Sequence, residues 1–325
     1  MSPSSRNLRV RLARIKARPP LRISLGECMS GILFATHGGP SADGAGRVAA
    51  LLAARRGTTL SAVCVLEPVR IVEGGYAAMY VPTPEEDEAV RASLRMAVAE
   101  QLRRGDAFAT PHVRTGPAAS EIADEARGSN AEVIVLGQGR HQLIDRALGN
   151  ETALQLVQLA STPVLAVPAT MTSLPRRVVA AIDFSPSSVA SAKACARWLT
   201  NGDVLHLVYV AGDWHGGFPL TQRISAENVL NAISQQIDAP EGVSIEQSVV
   251  EGEPAIRLLE LTATTNADLT VLGSHGYGFW KRLAIGSVAS KIIRLSPVAV
   301  LVTPIGSLVT VPSSTAAVAS STSSN

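Results

Sequence analysis

Cysteine is scarce. The 325 residues hold only Cys28, Cys64 and Cys195, far apart and in no CxxC or Cys/His grouping. That excludes a disulfide framework and a cysteine-based metal site, and it fits a reducing, cytoplasmic setting. Aromatic residues make up 4% of a chain that is 46% hydrophobic. Its cores must therefore be built from Ala, Val, Leu and Ile, which suits buried parallel strands covered by helices. No apolar run approaches the roughly 18 residues that a membrane-spanning helix needs. Acidic residues are missing from residues 1–22, which carry Arg6, Arg9, Arg11, Arg14, Lys16, Arg18 and Arg22. The rest of the chain holds 22 basic against 27 acidic residues, an imbalance that argues against nucleic-acid binding by the globular body.

Residues 1–30 form a basic arm in which Leu8, Leu12 and Ile15 share one possible helical face. An organelle presequence, a surface-binding arm and a disordered extension ahead of Met29 are all compatible with it. The expectation is disorder. Residues 305–325 are uncharged and rich in Ser and Thr, and are expected to form a disordered tail.

Between these ends the length suits two domains. Short apolar runs alternate with helical stretches. Ile32–Thr36 leads through His37-Gly38-Gly39-Pro40 into an alanine-rich helix, and Leu60–Leu66 is followed by a long excursion to Thr83. The pattern restarts after residues 169–175, where Val178–Ile182 runs into Asp183-Phe184-Ser185-Pro186. Gly116 and Gly137 recur at one common offset as Gly252 and Gly273. A repeat on this scale means duplicated domains. The fold expected is α/β, with two tandem open parallel sheets, residues 31–168 and 176–304, covered by helices on both faces.

One stretch of the second repeat has a chemical signature. After the apolar run Leu269–Leu272, glycines fall at Gly273, Gly276 and Gly286, and Ser287 opens a helix. Strand, glycine loop and helix N-terminus together cradle phosphate: glycines admit close backbone approach, and free N–H groups aim at negative charge. Ser287 could cap the helix or donate its hydroxyl to a phosphate. No GK[ST] follows, so this is not a Walker loop.

The pattern G-x2-G-x9-G-S resembles the ATP-binding loop of the universal stress protein family, and the likeness extends over 31–168 and 176–304. It implies adenine-nucleotide α-hydrolase-like domains that pair through their last strands, here within one chain as a pseudo-dimer, through Val164–Val167 and Val298–Val302. Further homodimerisation stays open. Carried over residue by residue, the resemblance implies an ATP site, with or without Mg2+, at Asp183, Val210, Leu272, Gly273, Gly276, Gly286, Ser287 and Val288. Asp183 would hold the ribose or phosphate region, and the end of the second strand would meet adenine; the competing role for Asp183 is capping the next helix. Lys281 and Arg282 could neutralise phosphate or simply be solvated, and His275 is assigned no chemistry.

The first repeat departs from the pattern. His37 replaces the acid. Its loop is one residue short if Gly139 and Gly149 match the later glycines; if the offset of Gly137 to Gly273 is kept, Arg140 and Asn150 replace glycines and Glu151 takes the serine position. Two like charges 4 Å apart cost about 4 kcal/mol at an effective dielectric of 20, so a carboxylate there opposes triphosphate. The expectation is a single nucleotide site in the second domain and an ATP-dependent stress-response regulator with an unknown protein partner. The rivals are an interaction scaffold without nucleotide and a nucleotidyl transferase. No nucleophile–base pair or metal cluster emerges, so at most slow ATP hydrolysis is expected.

Overall fold

The computed structural model describes residues 31–67, 70–73, 76–79, 83–138, 150–212, 217–274 and 285–304. In the first half, β1 (Gly31–Thr36) leads through a 3-10 turn at Pro40–Ala42 into α1 (Asp43–Arg56). Then come β2 (Leu60–Leu66), a small antiparallel hairpin of β3 (Arg70–Glu73) and β4 (Tyr76–Met79), and α2 (Pro84–Arg103). The half closes with β5 (Pro111–Thr115), α3 (Ala118–Gly128), β6 (Ala131–Gly137), α4 (Asn150–Leu159) and β7 (Val164–Val167). The second half repeats this order without a hairpin among the described residues. It comprises β8 (Arg177–Ala181), α5 (Pro186–Ala196), β9 (Val204–Ala211), α6 (Leu220–Gln235) and β10 (Ser244–Glu251), then α7 (Pro254–Thr264), β11 (Leu269–Gly273), α8 (Ser287–Leu295) and β12 (Ala299–Thr303).

Local chemistry explains several boundaries. Thr83 and Glu86 form a reciprocal capping box at the start of α2, and three acids, Glu85, Glu86 and Asp87, follow in its first turn. α1 stops at Gly57, whose φ of 63° is the left-handed conformation glycine adopts without penalty. The hairpin lies in the long excursion after β2 and makes the first repeat the longer one. Ile32 and Val133 pair across β1 and β6, as Val178 and Leu269 do across β8 and β11, and the first pair is the further apart in sequence.

The strands form one ten-stranded sheet in the order β10-β9-β8-β11-β12-β7-β6-β1-β2-β5. Pairing is parallel everywhere except at the centre, where β12 meets β7 antiparallel with Val300 opposite Ala166, Leu301 opposite Leu165 and Val302 opposite Val164. The last strands of the two halves are thus joined, as the resemblance implies. Leu165 and Leu301 are almost fully buried there. One core layer packs α1, α2, α5 and α6 on one face, and a second packs α3, α4, α7 and α8 on the other. The connecting residues 169–175 are not a free tether, since Leu174 is 5% exposed and Met171 packs on the first layer.

Each outer edge of the sheet is guarded. Arg91 on α2 donates to the carbonyl oxygen of Val113 on β5, and Arg223 on α6 donates to that of Val249 on β10, both at 3.0 Å. Charged side chains bonded to edge carbonyls discourage edge-to-edge pairing. Within each half the strand order reverses beside the first strand, which in the second half is the junction of β8 and β11. Open α/β sheets bind ligands at the carboxyl ends of the strands beside such a reversal.

Candidate functional site

At that reversal lies a cavity of about 330 Å3, at the lower end of the roughly 300–1,000 Å3 of small-molecule sites. Of the residues carried over from the resemblance, Asp183, Val210, Leu272, Gly273, Gly286, Ser287 and Val288 all line it. Gly276, Lys281, Arg282 and His275 lie outside the described residues. The sequence reading missed Ser188, Val208, Pro254, Leu258 and Ser274, which line it too. Val208 was legible from strand alternation, because side chains two apart on β9 share a face with Val210.

The polar end is built on the start of α5. Asp183 Oδ1 accepts from the Ser185 backbone N–H at 3.0 Å and from Ser185 Oγ at 2.6 Å. Ser185 is the N-cap, and its Oγ accepts from the Ser188 backbone N–H at 3.2 Å. Asp183 therefore buttresses the cap and does not cap the helix itself, and its other carboxylate oxygen accepts no hydrogen bond from a described residue. Between these two residues Phe184 has φ 63°, left-handed for a non-glycine residue. Its ring stacks on Tyr209 with centroids 4.5 Å apart. The equivalent first-half residue is Gly38, at φ 80°.

Gly273 is required by packing. A Cβ there would lie 2.7 Å from Ser187 Oγ and 3.0 Å from the Ser188 backbone nitrogen, so glycine lets the end of β11 close against α5. The two ends of the glycine loop are tied together, with the Gly286 N–H donating to Ser274 O at 2.9 Å. Gly286 is the N-cap of α8 and makes no side-chain cap, which corrects the reading of Ser287 as the capping residue. Ser287 is instead the first, exposed residue of α8. The first-turn amides of α8 and the positive end of its dipole thus face the cavity.

Pro254, Leu258, Val208 and Val210 form the apolar end. α7 and α8 are joined by the Glu253–Lys291 ion pair at 3.0 Å. The Ile256 amide, and after it Lys291, hold the Glu253 carboxyl below its usual range. Asp183 is the one carboxylate among the described lining residues. No group of three His, Cys, Asp or Glu able to hold a metal occurs among the described residues. No described helix is long and apolar enough to cross a membrane.

The first half is built differently at matching positions. His37 takes the place of Asp183, with Nε2 3.4 Å from Ser41 Oγ. The pairing of Gly137 with Val167 corresponds to that of Gly273 with Thr303, so both flanks of the loop keep one repeat offset and Glu151 stands where Ser287 does. Glu67 Oε1 accepts from the Ala118 N–H at 3.1 Å and so occupies the N-terminus of α3. A carboxylate thus meets the start of α3 as Glu253 meets the start of α7, and the contrast between the halves lies at His37 for Asp183 and Glu151 for Ser287.

The universal stress protein family model matches residues 29–168 and again 175–304. A universal stress protein of Mycolicibacterium smegmatis is 27% identical over 293 residues, covering 84% of this chain and 96% of its own length. One from Mycobacterium tuberculosis is 27% identical over 306 residues, covering 84% and 94% respectively. Among solved structures, a universal stress protein from Archaeoglobus fulgidus superposes with a TM-score of 0.59 at 19% identity, over 85% of this chain and 97% of that one. A putative universal stress protein from Pseudomonas aeruginosa gives 0.58 at 16% identity, over 85% and 93%. Such structural likeness speaks to the fold; the double match of the family model speaks to descent. The chain belongs to the universal stress protein family, as two of its domains in tandem, and its function lies in the stress response.

Proposed function

We propose that the second domain binds ATP in this cavity and that occupancy alters the contacts the protein makes with a partner, as a nucleotide-dependent regulator of the stress response. The observation that carries the reading is convergence. Residues spread from Asp183 to Val288, on several strand and helix ends, meet around one hollow with an apolar end and a polar end. Adenine suits the side of Val208, Val210 and Leu258. The α8 amides suit the phosphates, and the unused oxygen of Asp183 suits a ribose hydroxyl. Mg2+ would travel on the phosphates, because one carboxylate is too few for an all-protein site. Nothing among the described lining residues pairs a nucleophile with a base, so the reading is one of binding and release.

Isothermal titration of the full chain with ATP, alongside mass spectrometry of ligand carried through native purification, tests this. Saturable binding at one site per chain supports it. Absence of binding by the wild type overturns it in favour of an interaction scaffold.

A further inference from the structure

α8 has two ends with different neighbours. Its first residues, Ser287 and Val288, form a wall of the cavity. Its last turn is held from the other domain. Gln138, the residue after β6, is 5% exposed and donates from Nε2 to the carbonyl oxygen of Ser296 at 2.9 Å, with a longer contact of 3.4 Å to that of Ile293. Ser296 is the C-cap of α8, so a first-domain side chain supplies donors that the helix end lacks. The amide oxygen of Gln138 is buried without a hydrogen-bond partner in return. An orphaned buried acceptor is costly, and the hydrogen bonds of the donor end are what offsets it.

The rest of the helix stiffens this link. Nine residues span about 13 Å, and Ile292 and Ile293 are buried in the layer shared with α4. The first-domain backbone at Gln138 is itself fixed, its N–H donating to Val167 O at 2.8 Å beside the central seam. The corresponding second-domain residue is Ser274, which lines the cavity itself.

We infer that Gln138 is a positioning residue for the cavity: by holding the last turn of α8 it couples this one first-domain side chain to ligand affinity in the second domain. The inference rests on the ATP reading above. Coupling through a helix is reciprocal, so a ligand drawn to the N-terminus should also tighten the far end against α4. A degenerate first domain then has a task, which is to set the stance of α8.

The test compares full-length wild type, Gln138→Leu, which keeps size but removes the donors, and Leu165→Ala, which loosens the β7–β12 seam without touching α8. ATP affinity is read by calorimetry, and ATP-dependent amide exchange is read across residues 150–160. Gln138→Leu should bind ATP about fivefold more weakly, at the low end of typical coupling. It should also lose the protection that ATP confers on 150–160 in the wild type. Leu165→Ala should keep wild-type affinity despite a lower Tm. Equal affinity in wild type and Gln138→Leu would overturn the coupling while leaving the site intact. So would an affinity loss in Leu165→Ala as large as that in Gln138→Leu. No ATP binding by the wild type would instead remove the site reading itself, and the coupling with it.

Discussion

Glu151 Oε1 lies 2.9 Å from Arg294 Nη2, and the two belong to different domains. Glu151 stands at the position that Ser287 fills beside the second-domain cavity, so a place that opens the α8 wall in one half serves domain contact in the other. The carboxylate that stands at this position adds an ion pair between α4 and α8.

That ion pair is half exposed, with side-chain accessibilities of 49% and 69%. Glu151→Ser should therefore cost less than about 1 kcal/mol, as solvated pairs do. Urea unfolding of the variant checks this. It should not create a second ATP site, since His37 remains.

Asp183→Ala should weaken ATP binding by about ten- to a hundredfold, the worth of a hydrogen bond to a charged group. His37→Ala should leave affinity unchanged. Parallel titrations that show equal losses for both variants would reject the one-site assignment.

Gly273→Ala should destabilise the fold by about 1–3 kcal/mol through overpacking against α5. Gly137→Ala should cost at least as much, because its Cβ would meet backbone, 2.8 Å from Ser41 O and 3.0 Å from Ala42 Cα. Denaturant midpoints measure both. Gly273→Ala should also reduce ATP affinity, whereas Gly137→Ala should not.

Phe184→Ala keeps the left-handed backbone and loses the stack on Tyr209. Phe184→Gly loses the same stack but relieves a backbone cost of about 1–2 kcal/mol. The glycine variant should therefore be the more stable of the two. An alanine variant as stable as the glycine one would show that residue 184 is not held left-handed in solution.

His206 gives the fold an acid sensitivity. Burial is the main cause holding its pKa below the ordinary value of 6.5, against a smaller opposing influence of Glu246. The unfolded chain then takes up the proton first. Above about pH 6.5 both states are neutral and His206 contributes no pH dependence; as pH falls below that, stability should drop until the folded state also titrates. His206→Gln should flatten this limb of a stability–pH curve measured by urea unfolding.

Much of the fold was legible because the repeat is written in glycines as well as in apolar runs. Gly116 and Gly252 both have positive φ, at 150° and 129°, so their matching positions mark the same turn twice. Asp183 and Val210, which line the cavity, were legible because the resemblance places its site residues after the first strand and at the end of the second. The role of Ser287 was not, since capping depends on where a helix begins to within one residue. Gln138 and the Glu151–Arg294 pair were invisible for another reason. Their partners lie in the opposite half of the chain, and no local pattern announces a contact made only when two domains dock.

The antiparallel seam of β7 and β12 has a consequence for concentration. Separate copies that pair across such an edge come apart on dilution, but here the peptide linking the halves keeps each supplied with its mate at fixed one-to-one stoichiometry. Every molecule carries one altered and one open crevice, however few molecules a cell contains. Mutations in either half can then accumulate independently, which a pair of identical copies could never allow.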